Sequence, residues 1–135
     1  MRHPVIMKLN KSGSRYAYAV PKRSKYGNRK VEKNGEKFDS VREYERHLVL
    51  LDMQKRGEIA GLRRQVRLPL KVNGKLVCTY VADWTYNKVL DRNFPGGPLV
   101  SAMVVDDAKG VKTPAFAIKW KLVQALYPQW SYVLS

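Results

Sequence analysis

Residues 66–86 constrain the fold more than any other stretch. Val66, Leu68, Leu70 and Val72 alternate with Arg67, Pro69 and Lys71, the period-two pattern of a half-buried strand. Asn73-Gly74 follows, a pair that tolerates the two positive φ angles of a type I′ turn. A second strand then returns from about Lys75 to Tyr86. The segment reads as an antiparallel hairpin. Pro69 has no N–H to give to a ladder, so its strand belongs at a sheet edge or at a bulge.

The rest of the chain supplies partners for that hairpin. Asp39-Ser40 opens a helix whose apolar face is Val41, Tyr44, Leu48 and Leu51, with Gly57 as its stop. Gln65 starts the first hairpin strand. Residues 87–98, with Pro95-Gly96-Gly97-Pro98, read as a polar loop. Leu99 to Val105 is short and nearly all apolar, which fits a strand buried on both faces. Thr113-Pro114 caps a second helix ending near Tyr127-Pro128. Residues 130–134 read as a last strand, and Arg15 to Val20 as a short early one. After the N-terminal region the order is helix, strand, strand, strand, helix, strand.

Charge is distributed unevenly. The chain has 135 residues with 26 Lys and Arg against 11 Asp and Glu, a formal charge of +15. Residues 1–37 hold eleven of the cations and two of the acids, so +9 of that charge lies there. Such an excess favours a polyanionic partner. The run Lys22-Arg23-Ser24-Lys25-Tyr26-Gly27-Asn28-Arg29-Lys30 suits an arm lying along a phosphate backbone. Residues 1–37 are therefore read as a partly flexible basic arm and 38–135 as a single domain. Cys78 has no second cysteine to pair with and reads as a small core residue, which fits a reducing compartment. The first residues lack the apolar core of a signal peptide, and no apolar run approaches the ~20 residues that cross a bilayer. His3, His47 and Cys78 form no zinc pattern, and no phosphate-binding glycine loop is present.

Chemistry concentrates where apolar runs end in acids. Val81-Ala82-Asp83 ends one, and Val104-Val105-Asp106-Asp107-Ala108-Lys109 ends another. Carboxylates at the rim of buried strands are costly unless they are paired or metal-bound. Two carboxylates and an ammonium suit Mg²⁺ and a phosphodiester. Asp83 and Asp107 are the expected metal ligands, with Lys109 at the attacking water. Asp107 and Lys109 are two apart and share a face, whereas Asp106 points the other way and serves as the comparison residue. The competing reading of Asp107 and Lys109 is a surface ion pair.

Glu43 has two readings. It completes a capping box with Ser40, reaching back to the Ser40 amide. Alternatively it stands beside Asp83 as an outer or second-metal ligand. Gln65 would position a carboxylate or touch phosphate, or would simply be exposed. Lys112 and Lys119 are phosphate contacts or ordinary solvated lysines.

Taken in order, Phe38-Asp39-Ser40-x-x-Glu43, then Gln65, then Tyr80-Val81-Ala82-Asp83-Trp84-x-Tyr86, then Val105-Asp106-Asp107-Ala108-Lys109-Gly110-x-Lys112-Thr113 resembles the DUF1064 family of small phage and prophage proteins. Lys25-Tyr26-Gly27-Asn28-Arg29-Lys30 resembles that family's opening, and the likeness spans roughly residues 25–127. That family is similar to the PD-(D/E)xK nuclease superfamily, TnsA-type endonucleases and phage Holliday-junction resolvases. The resemblance implies an α/β restriction-endonuclease-like core with a mixed sheet flanked by helices. It implies a metal site on Asp83 and Asp107, completed by the Ala108 carbonyl, with Lys109 catalytic and Glu43 as the first-helix acid. Ala82 stands where the pattern usually has Pro, and Asp107 where it often has Glu.

The expectation is a Mg²⁺- or Mn²⁺-dependent DNA endonuclease, selective for branched or nicked DNA. It would act in the bacterial host cytoplasm and form a homodimer. Lys22, Arg23, Lys25, Arg29, Lys30, Gln65, Lys112 and Lys119 would hold the nucleic acid. The alternatives are a binding protein that keeps the fold without activity, and an RNA-processing nuclease.

Overall fold

The computed structural model describes residues 29–135. Of the preceding chain it describes two short antiparallel strands, β1 (Met7–Leu9) and β2 (Arg15–Ala17). Lys22, Arg23 and Lys25 lie outside the described residues. Within the stretch read as an arm, β3 (Val31–Lys33) and β4 (Glu36–Phe38) form a small hairpin. Its turn is Asn34-Gly35, with φ of 52° and 77°. This is the same turn chemistry as Asn73-Gly74, where φ is 51° and 79°.

Two helices and a mixed four-stranded sheet make up the body. The elements run α1 (Val41–Lys55), β5 (Ile59–Val72), β6 (Lys75–Asp91), β7 (Leu99–Asp107), α2 (Pro114–Leu126) and β8 (Ser131–Leu134). The sheet order is β5-β6-β7-β8, antiparallel except for the parallel pair β7–β8. β5 is an edge strand, as Pro69 requires, and the ladder is irregular just past it, between Leu70 and Lys71.

The helices cover opposite faces of the sheet. Leu50 of α1 packs with Ile59, Trp84, Tyr86, Val104 and Ala108. Val123 of α2 packs with Val66, Leu68, Leu70, Tyr80, Ala82 and Val105, beside Phe116 and Trp120. Along β6, Tyr80 and Ala82 face α2 while Trp84 and Tyr86 face α1, although all four share one parity. Alternation along an ideal strand would keep them on one face. Asp83 sits at the changeover. Gln65 lies across from it, between the pairs Arg64↔Trp84 and Val66↔Ala82, with a left-handed φ of 51°.

Three expectations are corrected. The buried face of α1 is Glu43, His47 and Leu50, while Leu48 and Leu51 are exposed. The helix turns its polar positions inward because they have partners there: Trp84 Nε1–H donates to His47 Nδ1 at 3.1 Å. Residues 87–91 belong to β6 rather than to a loop. Asn87 Nδ2 donates to the Ser101 carbonyl and the Lys88 N–H to Ser101 Oγ, both at 2.9 Å, so polar side chains hold an irregular ladder. Finally, β7 is buried only from Val104 to Asp107, and Leu99 and Val100 are exposed.

Candidate metal centre

Each helix begins with a capping hydroxyl. Ser40 Oγ accepts the Glu43 N–H, and Thr113 Oγ1 accepts the Phe116 N–H, both at 3.1 Å. The first cap fixes the start of α1 so that Glu43 points into the sheet, where it is only 3% exposed. Glu43 Oε2 does not return to the Ser40 amide. It accepts the N–H of Asp39 at 3.0 Å, one residue further back. Its other oxygen accepts from Arg64 at 3.2 Å and from Gln65 at 3.3 Å. Burial raises the Glu43 pKa, and the negative charge of Asp83 raises it further.

Asp83 and Asp107 are carried by neighbouring strands. Asp83 Oδ2 accepts the Ala108 N–H at 3.0 Å. Ala108 therefore touches the site through its amide. Burial pushes the Asp83 pKa up, against the pull of the Ala108 amide, Lys109 and the Gln65 side chain.

Asp107 is fully buried, and burial lifts its pKa to about 6, against the pull of Lys109. Tyr80 donates its hydroxyl to Asp107 Oδ2. Asp107 Oδ1 is buried without a hydrogen-bond partner. Lys109 Nζ stands 3.4 Å from it and 5.2 Å from the centre of the Phe116 ring. β7 ends at Asp107, yet Lys109 keeps the expected face. The Ser135 N–H donates to the Asp107 carbonyl at 2.8 Å and the Lys109 N–H to the Ser135 carbonyl at 3.1 Å, which extends the pairing past the strand.

Asp106 points the other way, as expected, but it is not idle. It is fully buried, with Arg46 Nη2 at 2.7 Å and the Tyr86 hydroxyl at 2.8 Å on Oδ2. It therefore supports the scaffold.

A buried carboxylate oxygen whose one polar neighbour among the described residues is a lysine ammonium at 3.4 Å leaves a lone pair that a hard cation can take. Mg²⁺ commonly takes one or two protein carboxylates and fills its other positions with water and phosphate. Asp83 and Asp107 fit that donor set. Among the described residues no three His, Cys, Asp or Glu side chains cluster closely enough to hold an ion alone.

The other expected residues are placed as follows. Gln65 is exposed and close to both Glu43 and Asp83. Arg29, Lys30 and Lys112 are exposed. Lys119 is half-buried and donates to the Thr79 carbonyl at 3.3 Å. Sequence reasoning missed Arg64, whose guanidinium lies 3.9 Å from the Phe38 ring centre as well as on Glu43. It also passed over Tyr80, whose hydroxyl donates to Asp107.

A family model described as "Protein of unknown function (DUF1064)" matches residues 23–134. The chain belongs to the DUF1064 family. The match takes in Glu43, Asp83, Asp107 and Lys109, so the whole candidate centre lies within the DUF1064 region. No curated protein and no solved structure gives a significant match. Among the described residues no helix is long and apolar enough to cross a membrane.

Proposed function

We propose that this DUF1064 protein is a Mg²⁺- or Mn²⁺-dependent DNA endonuclease with a PD-(D/E)xK-type core. The observation that carries the reading is Asp107. Its Oδ1 is buried on the strand beside Asp83, and its one polar neighbour among the described residues is the Lys109 ammonium, ion-paired with it at 3.4 Å. Asp83 and Asp107 would hold the ion. When bound, the ion lowers the pKa of coordinated water and neutralises charge on the phosphoryl oxygens. Lys109 places an ammonium where the attacking water and the developing negative charge would meet. Glu43 is kept in place by Arg64, Gln65 and the Asp39 amide, and it feels the charge of Asp83. Water attacks phosphorus and the bond to O3′ breaks, leaving a 5′-phosphate and a 3′-hydroxyl. The basic N-terminal segment supplies phosphate contacts, and branched or nicked DNA is the favoured substrate. The reading places the protein in the host cytoplasm as a homodimer.

A second reading, a non-catalytic DNA-binding protein on the same fold, draws on one observation. Both carboxylate oxygens of Glu43 are already bonded, which leaves two acids rather than three for an ion.

The deciding experiment incubates the protein with branched, nicked, duplex and single-stranded DNA, with and without Mg²⁺ or Mn²⁺. Metal-dependent cutting that Asp107→Ala abolishes is the expected result. Absence of cutting on every substrate, or undiminished cutting by the variant, rejects the nuclease. Cutting confined to RNA would indicate an RNA-processing enzyme.

A further inference from the structure

β6 pairs with β7 only from Trp84 onward. From Asp83 back to Lys75 its one strand partner among the described residues is β5, so this half of the hairpin is a two-stranded ribbon rooted at the candidate centre. α2 covers one face of the ribbon. Val66, Leu68, Leu70, Tyr80 and Ala82 pack there, and Tyr127 and Lys119 bond to the Pro69 and Thr79 carbonyls.

The opposite face has no cover among the described residues. Arg67 and Val81, paired across it, are both exposed, as is Val77. Lys71 and Lys75 are exposed towards the turn, and among the described residues no carboxylate pairs with Arg67, Lys71 or Lys75. From Ile59 to Tyr86 the chain has five Lys and Arg and one acid, the buried Asp83.

We propose that this ribbon is a DNA-docking element: Arg67, Lys71 and Lys75 bind phosphates of the duplex arm flanking the scissile position, with Val77 and Val81 against the sugars. The charge argues for the occupant, since an uncovered face bearing Arg67 and Lys71, with Lys75 at the turn that closes the ribbon, repels a basic partner and attracts a polyanion. Shape agrees, because a two-stranded ribbon fits the major groove of B-DNA. At about 3.3 Å per residue, Lys71 lies about 20 Å along the strand from Gln65. With one phosphate per strand for about every 3.4 Å of helix axis, a ribbon of that length covers about six nucleotides of axial rise on one side of the cut.

The identity of the nucleic acid rests on the nuclease reading, so the test separates the two. Binding of a fluorescent duplex and a four-way junction is measured against salt in chelator, where no metal-dependent cutting occurs. The protein is compared with the triple variant Arg67→Gln, Lys71→Gln, Lys75→Gln. A second triple variant, Lys55→Gln, Lys88→Gln, Lys121→Gln, removes the same charge from exposed sites elsewhere. The ribbon variant should weaken binding about tenfold and reduce the slope of log K against log salt by close to three, and the second variant by much less. Equal slopes for the protein and the ribbon variant overturn the proposal, as do equal losses in the two variants or a protein that binds neither DNA. A slope change in a protein that never cuts sustains the ribbon while the nuclease reading falls. Cutting with an unchanged slope does the reverse.

Discussion

Asp83 Oδ2 accepts the backbone N–H of Ala108 at 3.0 Å. The side chain of the first acid thus fastens the residue that follows the second. The bond leaves Asp83 Oδ1 free of that duty, and it ties the spacing of the two carboxylates to backbone rather than to a mobile side chain. A carboxylate held this way keeps its position without relying on a mobile partner.

Removing one of those charges should stabilise the protein. With the Asp107 pKa raised from its ordinary 3.8 to about 6, the folded chain keeps a proton that the unfolded chain has released. Stability from this group is therefore fully present below pH 3.8 and falls as pH rises towards about 6. The full effect corresponds to up to about 3 kcal/mol. Asp107→Asn should melt higher than the parent at neutral pH in chelator and lose this component of the pH dependence. A parent of equal or greater stability contradicts the buried, unsatisfied carboxylate.

Addition of Mg²⁺ or Mn²⁺ should raise the melting temperature of the parent in proportion to the logarithm of concentration above Kd. The same titration on Asp107→Asn should give a much smaller shift. Equal shifts in the two proteins would place the ion elsewhere.

Asp106 makes a poor inert control for Asp107. Its fully buried carboxylate is the partner of Arg46 and Tyr86, so Asp106→Ala leaves a cation and a hydroxyl without their acceptor. Loss of about 3–5 kcal/mol is expected from urea unfolding. The exposed Glu45 is the better comparison, and Glu45→Ala should leave stability within about 0.5 kcal/mol.

Arg64→Leu should destabilise by about 3 kcal/mol, because it leaves the buried Glu43 without its cation. The double change Arg64→Leu, Glu43→Gln should recover much of that loss in the same denaturation experiment. If the two changes are simply additive, the pair is not coupled.

His47 offers a pH test away from Asp83 and Asp107, with Glu36 3.6 Å from its Nε2 as the one opposing charge among the described residues. Burial and the charge of Arg64 lower its pKa from 6.5, and Trp84 donates to Nδ1, which fixes the neutral form. Its contribution is complete above pH 6.5 and is lost as pH falls through the depressed value. An NMR titration should place its midpoint below 6.5, and in Trp84→Phe the midpoint should move up.

Both caps, the Asn73-Gly74 turn and the edge position of Pro69 were legible because local chemistry decides them. The succession of helices and strands along the chain was legible from periodicity. The inward face of α1 was not. Val41, Tyr44, Leu48 and Leu51 make the more apolar stripe, but Glu43 and His47 find partners on Arg64, Gln65 and Trp84, and those partners come from β5 and β6. The switch of faces at Asp83 was equally hidden, since it depends on a left-handed Gln65 that the residue type does not announce. The acids were found by their position at the ends of apolar runs. Arg64 and Tyr80 gave no comparable signal, because an arginine beside a glutamine and a tyrosine in a strand are ordinary neighbours.

The parallel pairing of β7 with β8 bears on when the centre comes into being. Asp106 and Asp107 lie opposite Val133 and Leu134, with all of α2 between the two strands in the chain. Parallel partners form only after the intervening helix has crossed the sheet and docked, which makes this contact late and slow. The hairpin that carries Asp83 closes around a local turn and can form early. A partly folded chain would thus hold one acid in position and leave the other unplaced, so the order of folding itself withholds the assembled centre until the last strand is home.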